Sequence, residues 1–209
     1  MKLLIVGATG GLGKELVGRA LEQGCEVTVL VRGPAKLEAR EERLRVVQGD
    51  VLDFTSVESA VRGQDAVVSA LGTPNPRKPS TLLSEGTKNL VEAMERQGVR
   101  RLVCVTILGT GESGKRHGSL FYRHFVLGFM VRPMLEDKER QEEAIRGSRL
   151  DWTIVRPPRY TDESPSGDYR VIADGEGRVG KIGRADLADF VLDQLDDHSY
   201  VRKAVVVGH

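Results

Sequence analysis

Lys2-Leu3-Leu4-Ile5-Val6-Gly7-Ala8-Thr9-Gly10-Gly11-Leu12-Gly13-Lys14-Glu15-Leu16-Val17 is the stretch from which the rest of the chain is read. An apolar run of strand length meets three glycines set three residues apart. An amphipathic helix over Gly11 to Gln23 follows, with Leu12, Leu16, Val17, Ala20 and Leu21 turned to one side. Gly7 lets the chain turn sharply out of the strand, Gly10 removes a side chain where backbone must approach a pyrophosphate, and Gly13 lets the helix lie close to the sheet. The free N–H groups from Gly11 onward then face an anion, helped by the helix dipole. A tight turn alone needs fewer glycines than this spacing supplies in this place.

Outward from that unit the same rhythm repeats. Strands are predicted over Glu26–Val31, Leu44–Gln48, Ala66–Ala70, Leu102–Thr106, Asp151–Arg156 and Ala204–Val207. Helices are predicted over Thr55–Arg62 with Asp53 as cap, Ser80–Gln97 closed by Gly98, Asp137–Gly147, and Ala185–Leu195. Strands alternating with helices at this spacing define an α/β chain with a Rossmann-type, doubly wound parallel sheet, read as a single domain over residues 1–209. Two stretches break the rhythm, Gly109–Pro133 and Pro157–Gly180. Both follow strand C-termini, so substrate-side loops are expected at about 107–135 and 157–180.

Composition excludes several classes. The 209 residues carry 31 Lys and Arg against 30 Asp and Glu, a formal charge of +1, so no global field exists to hold nucleic acid or an anionic membrane. Cys25 and Cys104 sit in apolar segments and suit a reducing compartment, and the four histidines show no ligand spacing, so neither a disulfide framework nor a metal is expected. Leu120–Met134 is interrupted by Arg123, His124 and Arg132 and is not read as a membrane span. No secretory cleavage pattern follows Met1–Gly7, which makes a cytoplasmic location the expectation. No Gly-x-Ser-x-Gly elbow points to a hydrolase.

At the end of the second strand, where an acidic residue would bind the ribose 2′-OH of NAD, this chain has Arg32, with Lys36 close behind. A guanidinium there suits a 2′-phosphate by charge and fork geometry, so NADP(H) is expected in preference to NAD(H). Asp50 and Val51, after the third strand, are placed to clasp an adenine edge, although a turn plus helix cap accounts for Asp50 nearly as well. Ala70, Leu71, Gly72 and Thr73 end the fourth strand with small residues on which a cofactor can lie.

With those motifs in place, the chain resembles the atypical short-chain dehydrogenase/reductases, the NAD(P)H-binding and NmrA-like group that includes flavin and biliverdin reductases. The resemblance is carried by residues 7–13, Glu26–Arg32, Gly49–Val51, Leu71–Thr73, Ser84–Asn89, Asp151–Pro158 and Ile182–Ala188. It implies hydride transfer from a bound dinucleotide to a flat, conjugated small molecule, and adds Thr9, Leu12, Thr106 and Pro157 to the residues lining the cofactor. The departures are specific. Thr106 is followed by Ile107 where the flavin and biliverdin reductases have serine, and Pro157-Pro158 is followed by Arg159 where they have histidine. Tyr122 is followed four residues later by Val126, so the superfamily's Tyr-x-x-x-Lys proton relay is absent at that spacing.

Two residues remain as catalytic candidates. Lys138 matches a lysine of many atypical relatives that could hold the nicotinamide ribose or donate a proton, against a plain reading as a solvated charge within Glu136–Arg140; Tyr122 could stack on an acceptor. Ile107, Arg159 and Tyr160 are expected on the substrate side. Asp186 is assigned to structure at the last helix, and Trp152 to the core. Two functions follow: an NADPH-dependent reductase of a flavin- or quinone-like acceptor, and a non-catalytic NADP(H)-binding sensor or assembly protein. A monomer or small homo-oligomer suits either.

Overall fold

A computed structural model describes residues 1–33, 41–111, 132–173 and 177–209. Lys36, Tyr122 and most of the Leu120–Met134 stretch fall outside them. The strands are β1 (Lys2–Val6), β2 (Glu26–Val31), β3 (Leu44–Gln48), β4 (Ala66–Ser69), β5 (Arg101–Val105), β6 (Asp151–Arg156), β7 (Tyr160–Thr161), β8 (Arg170–Ile172), β9 (Ile182–Gly183) and β10 (Lys203–Gly208). The described helices are α1 (Gly11–Glu22), α2 (Phe54–Val61), α3 (Leu82–Gln97), α4 (Arg132–Arg146) and α5 (Arg184–Asp193).

Eight strands form one sheet in the order β3-β2-β1-β4-β5-β6-β10-β8, parallel throughout except for β8, which runs antiparallel on β10. The chain leaves β1 toward β2 and β3, then returns to the other side of β1 through β4. The C-terminal ends of β1 and β4 therefore flank the point where winding reverses, which is where such sheets open a crevice.

Strand alternation sorts the core into two layers. Leu3 and Ile5 face α1 and α5, packing with Leu16, Val17, Leu187 and Val191; Leu4 and Val6 face the other side, with Val57, Leu90, Met94 and Ile145. Cys104, in the middle of β5, belongs to the second layer and is fully buried. Trp152 packs there too, as expected.

Helix ends follow local chemistry. The Asp53 carboxylate accepts from the Thr55 and Ser56 N–H groups, each at 3.2 Å, and so caps α2; Gly98, at φ +72°, closes α3. The start of α3 is capped from another helix: the buried Asp137 of α4 accepts from Leu83 N–H at 3.0 Å, Ser84 N–H at 3.3 Å and Ser84 Oγ at 2.6 Å.

Two expectations are corrected. Helix α4 begins at Arg132 rather than Asp137, because its buried face is mainly polar: Asp137, Lys138, Gln141, Glu142 and Ile145. The 157–180 stretch carries two short strands: β7, which pairs with β9 just beyond it, and β8, which extends the main sheet. Asp186 has the structural role expected of it: the third residue of α5, it accepts through its buried carboxylate from Ser166 N–H and Gly167 N–H, both at 2.9 Å, and so ties that stretch to the helix.

A cleft across the sheet's C-terminal edge

The strand ends and the glycine turn enclose a cleft of about 530 Å³. At its middle is Gly7–Gly13. Gly7 takes φ +87°, and a methyl group there would stand 2.4 Å from the Ala70 carbonyl oxygen; one on Gly13 would stand 2.1 Å from the Gly7 carbonyl oxygen. The first glycine thus lets β1 turn beside β4, and the last lets α1 sit against that turn. Gly10 precedes α1 without any side-chain cap, which leaves the first-turn amides to a ligand.

The cleft runs one way past Leu30, Val31 and Arg32 to Gly49, Asp50 and Val51, and the other way past Ala70–Pro74 to Val105, Thr106, Ile107, Met134, Lys138, Tyr160 and Arg184. Among the described candidates, Gly7, Thr9, Gly10, Gly11, Leu12, Gly13, Arg32, Asp50, Val51, Ala70, Leu71, Gly72, Thr73, Thr106, Ile107, Lys138 and Tyr160 all line this one space. Pro157 and Arg159 do not. The Pro157 carbonyl accepts from Leu108 N–H at 2.8 Å, and that of Arg159 accepts from Ile182 N–H at 2.9 Å, so both serve the backbone that frames the cleft.

Arg32 is exposed at the end of β2. Asp50 also spends one oxygen on a local turn, accepting from Leu52 N–H at 3.0 Å. Val51 is fixed from α3: Asn89 Nδ2 donates to its carbonyl at 2.8 Å, and a methyl group on Gly86 would stand 2.8 Å from its side chain. The Ser84–Asn89 run therefore supports the end of the cleft beyond Gly49.

At the opposite end Lys138 is buried, which overturns its reading as a solvated charge. Its ammonium donates to the Leu71 carbonyl at 2.9 Å and the Val105 carbonyl at 3.1 Å, bridging the ends of β4 and β5. Burial pulls its pKa below the ordinary lysine value, against the attraction of Cys104, Glu142 and Asp137.

Glu142, one turn along α4, was not singled out by the sequence. Its Oε1 accepts from Thr106 Oγ1 at 2.8 Å, Thr110 Oγ1 at 2.6 Å and Arg156 Nε at 3.0 Å, and its Oε2 accepts from Arg156 at 2.5 Å. Burial alone would raise this carboxyl; the bonds from Arg156, Thr110 and Thr106 outweigh that, and it stays below its ordinary value. The charged group thus locks the turn after β5, including the cleft residues Thr106 and Ile107, onto α4 and β6. Its only sequence signal is the four-residue step from Lys138, which sets both on one helix face.

A doubly wound sheet with an anion-ready glycine turn at its winding reversal, and small residues along the adjacent strand ends, defines a dinucleotide-binding α/β protein. Residues 7–198 match the NAD(P)H-binding family, and the chain belongs to it. It is 31% identical over 164 residues to a (4-alkanoyl-5-oxo-2,5-dihydrofuran-3-yl)methyl phosphate reductase from Streptomyces griseus, covering 78% of this chain and 50% of that one. It is 28% identical over 222 residues to the photosystem II assembly factor Ycf39 of Synechocystis, covering all of this chain and 63% of the relative. The chain thus spans about half to two thirds of these relatives' length. Its fold matches that of an anaerobilin reductase from Escherichia coli O157:H7 with a TM-score of 0.82 at 22% identity, covering 100% of this chain and 97% of that one.

Proposed function

We propose that the protein is an NADPH-dependent reductase that passes hydride to a conjugated small-molecule acceptor of the flavin or quinone type. The observation that carries this reading is the continuous cleft from Arg32, past the glycine turn, to Lys138, Ile107 and Tyr160. Gly7, Thr9, Gly10, Gly11, Leu12 and Gly13 would receive the diphosphate, Arg32 the 2′-phosphate, and Asp50 and Val51 the adenine. Ala70–Thr73 and Thr106 would floor the ribose and nicotinamide. When bound, the cofactor supplies the hydride.

The chain's own residues do the positioning. Lys138 holds a proton on a buried Nζ fixed by two carbonyls, close to the cleft residues Leu71 and Val105. Ile107 and Tyr160 form the acceptor wall. Delocalised acceptors need no strong acid beside them, so orientation supplies most of the rate. Arg32→Ala is expected to weaken NADPH about 10- to 100-fold while leaving NADH within about twofold, measured by fluorescence titration; equal losses would remove the 2′-phosphate assignment.

A second reading, a dinucleotide-binding assembly or sensor protein without turnover, is favoured by the doubly engaged Lys138 ammonium and by the similarity to Ycf39. Titration with NADPH followed by addition of FMN or a simple quinone separates the two. Steady loss of nicotinamide absorbance above the uncatalysed rate supports the reductase; tight binding without turnover across an acceptor panel supports the second reading.

A further inference from the structure

Arg184 stands where the glycine turn and the 157–183 stretch meet. A methyl group on Gly11 would lie 2.9 Å from its Nε, so the side chain runs directly over the first residue of α1. Its guanidinium pairs with Asp162 and lies 5.7 Å from the ring centre of Tyr160. The stem is well fixed. β9 pairs with β7 immediately before it, and Asp186, two residues on, holds Ser166 and Gly167.

Three cationic residues line the cleft among the described residues: Arg32, Lys138 and Arg184. Arg32 sits at the end of β2, and the Lys138 ammonium is bonded to two carbonyls. Arg184 lies against Gly11 of the glycine turn. Its present partner, Asp162, is 87% exposed, so that carboxylate can leave the guanidinium for water at small cost. A diphosphate meeting the α1 amides would offer the same guanidinium a stronger, doubly charged partner.

We propose that Arg184 is a diphosphate-binding residue of the cofactor cleft, and that Asp162 is a competing anion that holds the guanidinium over Gly11 and yields it to the dinucleotide. The inference rests on the dinucleotide reading above and adds a coupling: filling the cleft releases the Tyr160–Glu163 strap from Arg184.

Calorimetric titration of the wild type, Arg184→Gln, Arg184→Lys and Asp162→Asn with NADPH, 2′-phospho-ADP-ribose and adenosine 2′-monophosphate tests it. Arg184→Gln should weaken the first two ligands about 10- to 100-fold, while adenosine 2′-monophosphate, which lacks the diphosphate, stays within about twofold. Arg184→Lys should recover part of the loss. Asp162→Asn should tighten the two diphosphate ligands by about two- to fivefold, the scale of one exposed ion pair. Opposite signs for the two partners of one ion pair are the signature, because a merely structural bridge would weaken both. Unchanged affinity in Arg184→Gln, or unchanged or weaker affinity in Asp162→Asn, overturns the proposal while leaving the dinucleotide reading intact. A wild type that binds none of the three ligands overturns both.

Discussion

Glu142 is where the cost of burying charge is most concentrated. One carboxylate satisfies Thr106, Thr110 and Arg156, and Arg146 adds a fourth contact at 2.9 Å from the solvent side. Removing its charge would leave Arg156 buried opposite a neutral group, so Glu142→Gln should lower stability at pH 7 by about 3 kcal/mol. The folded carboxyl titrates below its ordinary value of 4.5. Its stabilising contribution is therefore full above that value and is lost as pH falls through the lower, folded one. Urea midpoints from pH 7 to pH 3 check this: the wild type should lose stability more steeply below about pH 4.5 than Glu142→Gln. Parallel curves would mean that other carboxylates set the acid limb.

Between elements, the contact of α3 with α4 carries a polar seam beside its apolar one. Asp137 caps α3, Gln141 Nε2 donates to Thr87 Oγ1 at 2.8 Å, and Lys138 reaches the ends of β4 and β5. Asp137→Ala strips the cap from the Leu83 and Ser84 amides and should cost about 1–3 kcal/mol, read from thermal or urea unfolding. A loss below about 0.5 kcal/mol would show that the amides find water instead. This seam also explains what the sequence concealed. Strands β1, β2, β3 and β6 were legible to the residue because each is a short apolar or alternating run bounded by turn residues. Helix α4 was legible from Asp137 onward, but its facing was not, since hydropathy reads Asp137, Lys138, Gln141 and Glu142 as an outer face when they form the inner one. The glycine turn, Arg32 and the strand-end residues were legible because backbone geometry fixes where they stand. Arg184 and Asp162 come together only through the pairing of β7 with β9, two-residue strands too short to leave a pattern.

Taken whole, the molecule is a sheet whose C-terminal edge is given over to ligand and whose centre is closed. Cys104 lies in that centre, on β5 between β4 and β6, fully buried, its thiol pushed up to about 11 chiefly by burial. Such a thiol is inert until the sheet opens around it, because the reactive thiolate needs both water and a lower pKa. The strand therefore carries its own clock. Under native conditions the rate at which a thiol reagent reaches Cys104 should track the global unfolding equilibrium, falling as urea is removed and slowing further in proportion to any ligand that binds only the closed form. Slowing by NADPH but not by NADH at equal concentration would report nucleotide preference through the hidden sulfur alone, with no substrate and no turnover. Modification that outruns unfolding, measured in parallel by circular dichroism, would show instead that β5 breathes separately from the rest of the sheet.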